Sequence, residues 1–451
     1  MIGANKKKSD FATPYTVSNA LTKGGAAVKL SALIMGLGNI AHKQIIKGLI
    51  FLAIEIGYIM FMVNAGAYYL SMLPSLGWRK QEEVFNEQIQ ADNSVLLLLY
   101  GVATIAITLL FIYMWAENLR SAYMAECLAK EGKEINSFGK DVKSLFDKNL
   151  YKTLMFLPLM GILIFTVLPL LFMIPMAFTN YSTINKHLTL FDWVGLANFK
   201  TVLGLGGKIG KTFWRVLGWT IVWAVCATFL CNFLGLILAI VINRKETKCK
   251  AFWRTCFVIS IAVPQFVSLL VMRQMLQEHG AINNLLMEWG LIQNPLPFWT
   301  NTMWARVSVI LINCWVGIPY TMLQVTGVLQ NVPAELYEAA KIDGANAAQI
   351  FRKITLPYIM FIMGPYIITQ FTGNINNFNV IYLLSAGKPT PVGETAGKTD
   401  LLVTWLYKLT VDYQYYNIGA VIGILTFVVL SIVALVTYRN TKAYKDEEGF
   451  M

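Results

Sequence analysis

Seven stretches of this chain run for 18 residues or more without an Asp, Glu, Lys or Arg, and an eighth contains only Glu55. They cover approximately 48–70, 94–116, 153–178, 216–242, 255–272, 307–330, 357–385 and 413–438. A helix crossing a bilayer needs about 20 mostly apolar residues, because every backbone polar group must be satisfied internally once water is excluded. Their Gly and Pro are compatible with membrane helices. The fifth window is the shortest and lies between Arg254 and Arg273, whose long side chains can reach the interfaces. The expected fold is therefore all-α, a polytopic membrane bundle of about eight transmembrane helices. Composition agrees: 14% charged residues against 56% hydrophobic leaves too little charge to cover a soluble surface.

The charges that remain supply an orientation. With the N-terminus inside, 25 of the 37 Lys and Arg fall in the inside segments and 12 outside. That bias predicts a multi-pass membrane protein with cytoplasmic N- and C-termini. It also reads the formal charge of +12 as topology, with membrane lipid and not nucleic acid as the partner. Lys6, Lys7 and Lys8 precede a polar stretch, which is not the pattern of a cleavable signal peptide. Residues 25–43 are too interrupted to span. Two readings stand for them: a segment along the inner membrane face with Lys29, Lys43 and Lys47 near headgroups, or a flexible basic tail.

Several chemistries find no support. The six cysteines fall in helices or inside loops without metal-ligand spacing, and His42, His187 and His279 are scattered. No metal site and no catalytic residue is expected. Residues 204–212, Gly-Leu-Gly-Gly-Lys-Ile-Gly-Lys-Thr, imitate a phosphate-binding loop, but the position that requires glycine is Leu205 and no apolar strand precedes it. A glycine-rich outside turn is the better reading, so this chain is not expected to hydrolyse ATP.

Between the sixth and seventh windows lies PAELYEAAKIDGANAAQIFRKITLP, residues 333–357. Pro333 can start a helix, with Glu335 and Glu338 near its positive end. Gly344 suits a sharp turn, residues 345–353 can begin a second short helix, and Pro357 sits at the threshold of the seventh span. The expected element is a cytoplasmic helix–turn–helix with small Ala339 and Ala340 permitting close approach of a partner. The spacing resembles a known signature. Glu338-Ala339-Ala340, three residues, Gly344, nine residues and Ile354-Thr355-Leu356-Pro357 match the EAA loop of the permeases of binding-protein-dependent ABC importers without a gap. The resemblance implies a loop that docks into a cleft on a separate ATPase subunit. Glu335, Glu338, Ala339, Ala340, Asp343 and Gly344 would then carry the coupling. It further implies a second permease subunit in a heterodimer, two ATPase subunits that use the ATP, an extracellular solute-binding protein, and no cofactor bound to this chain.

The flanking spans hold unusual polar residues. Asn313, Gly317, Tyr320 and Gln324 recur at i, i+4, i+7 and i+11, on one helix face. In Gln370-Phe-Thr-Gly-Asn-Ile-Asn-Asn-Phe-Asn379, Gln370, Asn374 and Asn377 share a face, whereas Asn376 points about 200° from Asn374 on a regular helix. Either the helix breaks near Gly373 or some asparagines bind neighbouring helices. Amides and a phenol suit a neutral, hydroxyl-rich ligand, since each amide both donates and accepts. The same groups serve equally as glue between helices.

NCWVGIPY at 313–320, the loop, NNF at 376–378 and TDLLVTWLYKLT at 399–410 resemble the larger permease subunit of maltose/maltodextrin importers, over roughly residues 150–440. That resemblance implies sugar contacts at Asn313, Gly317, Tyr320, Asn374 and Asn377. Val316, Gln370 and Gly373 fall at further contact positions where the better-known pattern has leucine, serine and a bulky aromatic. Glycine at 373 is expected to enlarge the cavity for a longer or differently linked oligosaccharide. Some relatives carry a large domain between the third and fourth spans. Residues 179–215, which include Phe191-Asp192-Trp193-Val194-Gly195-Leu196, are too few for one. Binding-protein contacts would then use short loops, as suits a cell with a single membrane.

The expected organisation is an N-terminal tail with two transmembrane helices and a linker (1–150), a permease domain of six helices (151–440) and a cytoplasmic tail (441–451). The expected function is translocation of maltose or maltodextrin by alternating access. The alternatives are another neutral oligosaccharide or, more remotely, a secondary sugar carrier. Only Glu55 offers a membrane carboxylate for the latter, and a place near an interface or local pairing is its expected role. A membrane-embedded enzyme would show paired carboxylates or a metal cluster, and neither is found.

Overall fold

The computed structural model describes residues 15–78, 92–183, 189–244 and 246–439. The Lys6–Lys8 run, His187 and the 441–451 tail lie outside the described residues. Among the described residues, seven helices are long and apolar enough to cross a membrane, or eight if one bent pair counts as a span. The chain divides into two compact units, the first running to Tyr181 with residues 187–193 and the second formed by most of the remainder. The boundary expected at 150/151 falls within the first unit.

In the first unit, α1 (Val17–Lys23), α2 (Ala26–Leu30) and α3 (Leu37–Ala41) precede the long α4 (Ile45–Met72), α5 (Ser94–Lys130) and α6 (Leu150–Met176). The short helices form a folded cap on the C-terminal half of α5, which overturns the flexible-tail reading of residues 25–43. Side chains from α4 and α5 satisfy the cap's backbone. Asn118 accepts from the Gly36 N–H at 2.8 Å and donates to the Ser31 carbonyl at 2.9 Å. Glu126 accepts from the Gly25 N–H at 2.8 Å, and the Trp115 indole donates to the Ala32 carbonyl at 3.0 Å. Glu55 accepts from the Met35 N–H at 2.8 Å, so the membrane carboxylate pairs locally. Gly36, at φ +89°, presses on the Gly48 carbonyl so closely that a Cβ would lie 2.0 Å from its oxygen. The most apolar stretch of α6 buries none of its residues within the chain, as expected of a helix whose solvent is lipid or a partner subunit.

The second unit is built on α7 (Lys208–Asn243), α8 (Lys250–Ala262), α9 (Gln265–Met275), α10 (Thr302–Gln330), α11 (Ala334–Ile342), α12 (Ala347–Ile375), α13 (Phe378–Leu384) and α14 (Tyr416–Arg439). The fifth window is not one straight span: α8 and α9 meet at 87°. Pro264 explains the corner, because it holds Val263 extended (φ −77°, ψ 126°) and offers no N–H to continue the helix. The α7–α10 pair is the backbone of the unit. Gly235 lies against Thr321, where a Cβ would stand 2.6 Å from the threonine Cβ, and this closeness brings the two helices together.

Two apolar cores sit at different heights along that pair. One contains Trp219, Trp223 and Ala227 of α7, Val309 and Ile312 of α10, and Val380 and Leu384 of α13. The other contains Ala239 and Ile242 of α7, Met322 and Val325 of α10, and Ile359 and Met363 of α12. From Ala227 to Ala239 is about 18 Å along the helix. The polar residues at issue lie in that interval.

The TDLLVTWLYKLT stretch has a structural role. Fully buried Asp400 accepts from the Gly397 N–H (2.6 Å), the Thr404 hydroxyl (2.9 Å) and the Lys408 ammonium (2.6 Å). A buried carboxylate with three donors, one of them its counter-ion, meets the conditions for tolerating such a charge.

Candidate functional site: a polar layer and a coupling loop

The polar layer is assembled from three helices. Thr228, Cys231 and Asn232 lie at i, i+3 and i+4 on α7, so they share a face. They meet Asn313 of α10 and Gln370 and Asn374 of α12. The Asn374 amide donates to the Thr228 hydroxyl at 2.9 Å, the Asn232 amide donates to the Gln370 carbonyl, and the Asn313 amide lies 3.6 Å from Cys231 Sγ. This face of α7 is not among the sequence-expected contacts. Its signal is three polar residues at i, i+3 and i+4 inside a charge-free window.

The eight positions proposed for sugar contact fall into two groups. Asn313 and Asn374 are each only 7% exposed and hold helices together. Gly317 belongs with them: a Cβ there would stand 2.7 Å from Cys231 Sγ, so the glycine admits α7. Tyr320 is 46% exposed, Gly373 is exposed with no atom within 4 Å of where its Cβ would be, and Val316, Gln370 and Asn377 are half-buried. The second group is therefore the open side of the layer.

Both alternatives left open for the asparagines occur. The helix does break near Gly373, at Asn376–Asn377, since α12 ends at Ile375. Asn377 then caps α13 by accepting from the Val380 N–H at 3.2 Å. The Trp223 indole donates to the Asn374 carbonyl at 3.1 Å, satisfying one of the acceptors freed by the break. Asn374 also binds a neighbouring helix. Asn376, at the break, is exposed.

No Asp, Glu, Lys, Arg or His occurs between Arg306 and Glu335 or between Lys353 and Lys388. The layer thus offers amides, hydroxyls, a thiol and a phenol, all uncharged.

The loop of residues 333–357 is a helix–turn–helix. Helix α11 closes with the Ala345 N–H on the Ala340 carbonyl (2.9 Å) and the Gly344 N–H on the Lys341 carbonyl (3.0 Å), a Schellman stop that requires the left-handed φ of +79° at Gly344. Asn346 and Gln349 then form a capping box, with both bonds at 2.9 Å, which starts α12. The second helix does not end before the seventh span. It passes through a π-helical turn, Phe351–Thr355, past Pro357 and onward to Ile375. A wider turn just before the proline is where a ladder missing one N–H can be accommodated.

Glu335, Glu338, Ala339, Asp343 and Gly344 are exposed and Ala340 is half-buried. Ile342, at 86% exposed, projects an apolar side chain from the tip. A groove of about 950 Å³ separates α11 from the end of α7, with Tyr337, Glu338 and Lys341 on one side and Val241 and Arg244 on the other. The loop is therefore a projecting, well-capped element continuous with a helix of the polar layer. The 29 residues of α12 extend about 43 Å.

Residues 231–442 match the family model described as the binding-protein-dependent transport system inner membrane component. The galactooligosaccharides transport system permease protein GanP of Bacillus subtilis is 37% identical over 93% of this chain and 98% of its own length. The maltodextrin transport system permease protein MdxF of the same organism is 36% identical over 95% of this chain and 99% of its own. A crystal structure of a bacterial ABC transporter involved in the import of the acidic polysaccharide alginate has a chain of the same fold, with TM-score 0.54 and 23% identity, covering 66% of this chain and 97% of that one. The projecting capped loop, the uncharged layer it connects to, and relatives alike from end to end lead to one conclusion: this chain belongs to the binding-protein-dependent inner-membrane components, the permease subunits of ABC importers, and is not itself an enzyme.

Proposed function

We propose that this permease translocates a neutral hexose oligosaccharide, maltodextrin in the first instance. The observation that carries the reading is the uncharged polar layer between two apolar cores, on three helices, one of which is the coupling helix itself. Sugars present hydroxyls that donate and accept at once, and amides answer them in kind. A layer without a cation offers a carboxylate or phosphate hydrogen bonds but no counter-charge for its desolvation. A second reading, a galactooligosaccharide, is favoured by the likeness to GanP at 37% identity and by the open space at Gly373. Both sugars are neutral, and the shape of the open side would discriminate between them.

In this reading a second permease completes the pathway opposite Tyr320, Gln370, Gly373 and Asn377. A solute-binding protein delivers sugar from outside, and two ATPase subunits use the ATP. The loop bearing Glu338 and Gly344 is cytoplasmic, with both termini on that side. ATPase closure displaces α11, and α12 transmits the displacement as a rigid body to Gln370 and Gly373, so the layer alternates between inward- and outward-facing states. The test is a binding profile of the cognate solute-binding protein against maltose, longer maltodextrins, galactooligosaccharides and an acidic oligosaccharide. Preference for a neutral oligosaccharide supports the proposal. Preference for the acidic one would remove it.

A further inference from the structure

A second groove, of about 550 Å³, lies between α7 and α10 at the ends opposite the coupling loop. Two arginines reach it, and they are not equivalent. Arg215 is neutralised by an ion pair with Glu394 and donates to the Ala396 carbonyl at 3.0 Å. Arg306 has its guanidinium carbon 4.3 Å from the ring centroid of Trp219, and its Nε donates to the Lys398 carbonyl at 3.2 Å. Among the described residues no carboxylate pairs with Arg306. The groove therefore carries one uncompensated positive charge, half-buried and held in place. Below the guanidinium the walls turn apolar, through exposed Val222 and half-buried Ile310. The floor between them is open at Gly218, where a Cβ would meet no atom within 4 Å.

A half-buried cation without a counter-charge at the end of two membrane helices is costly unless an anion completes it. The guanidinium fork suits phosphate oxygens, and the tryptophan face keeps it oriented. A small hydrophilic anion has no use for the apolar wall, whereas an acyl chain does. We infer that this groove seats an anionic phospholipid, with its phosphodiester on Arg306 and one acyl chain along Gly218, Val222 and Ile310. The site is independent of the sugar reading and requires only that α7 and α10 span the bilayer.

The experiment is native mass spectrometry of the full-length chain, alone and within the assembled transporter, titrated with phosphatidylglycerol, phosphatidylcholine or inorganic phosphate. Both lipids carry the phosphodiester, but the choline cation of phosphatidylcholine offsets its charge and repels the guanidinium, so phosphatidylglycerol is expected to bind about tenfold tighter. Arg306→Gln removes that preference. Because Arg306 also holds the Lys398 carbonyl, Gly218→Leu provides a second variant: it fills the groove, leaves every charge in place, and is expected to weaken both lipids. Equal affinity for the two lipids in the wild type, or wild-type binding in both variants, overturns the inference. So does displacement of phosphatidylglycerol by millimolar phosphate, which would make the groove a free-anion site. Loss of the lipid on assembly of the transporter would make it a subunit interface instead.

Discussion

Gly317 separates a packing role from a sugar contact, and the two make opposite predictions. An alanine Cβ at 317 would stand 2.7 Å from Cys231 Sγ and 3.5 Å from Cys231 Cβ. Ordinary carbon–sulfur contact lies roughly 1 Å further out than the first distance, so α7 and α10 must separate or Cys231 must leave its rotamer. Overpacking of this kind costs about 1–3 kcal/mol, which for a unit of this size lowers the melting temperature by several degrees. Cys231→Ala removes the sulfur and with it the clash. The double variant Gly317→Ala/Cys231→Ala is therefore expected to recover most of the loss, with a coupling of about 1–2 kcal/mol that is opposite in sign to the single effects. The assay is thermal unfolding of the four proteins of the cycle, purified in one detergent, alongside the sugar concentration that gives half-maximal uptake. If Gly317→Ala leaves stability unchanged but shifts that concentration, and Cys231→Ala gives no rescue, the glycine meets the sugar and the packing argument is wrong.

Other outcomes follow from the same geometry. At Gly344 the required φ of +79° and the empty space around the Cβ position make the penalty purely conformational. Sugar-stimulated ATPase of the assembled transporter should fall in the order Asn, Ala, Pro. Alanine strains the turn by about 1–2 kcal/mol, and proline also removes the bond to the Lys341 carbonyl; full activity with Gly344→Pro would refute the coupling role. Gly373→Phe places a ring in open space on the layer, so it should shift uptake toward shorter sugars with little change in thermal stability; an unchanged chain-length preference would show that the position does not border the sugar. Asn118→Ala orphans the buried Gly36 N–H and Ser31 carbonyl, which should loosen the N-terminal cap by about 2–4 kcal/mol and speed limited proteolysis within residues 15–43.

What could be read in advance follows a physical line. Long charge-free windows report spanning length directly, so seven of the eight windows appear as long apolar helices. The same windows carry no direction, which hid the corner at Val263–Pro264. Helix geometry alone showed that Asn374 and Asn376 cannot share a face on a regular helix. The break falls three residues beyond Gly373 because Trp223 and Asn377 supply caps there, and Trp223 is 151 residues from Asn374 and not evident from the α12 pattern. The burial of Asn313 and Asn374 was hidden for a related reason: their partners, Thr228 and Cys231, lie more than eighty residues away in a different, mostly apolar window. The cap of residues 15–43 is the extreme case. Its helices are too short to declare themselves, and the groups that order them, Glu55, Asn118 and Glu126, come from elsewhere in the chain. The loop of residues 333–357 was the most legible element because its stops and starts, Gly344 and the Asn346–Gln349 box, are local chemistry.

The claim that the layer passes neutral oligosaccharides is tested most directly by uptake into proteoliposomes holding the assembled transporter. One labelled neutral oligosaccharide competes there against an unlabelled panel of maltodextrins, galactooligosaccharides and uronate oligosaccharides of equal length. The account predicts competition by at least one neutral series and none by the uronates. Equal or better competition by the uronates would contradict it.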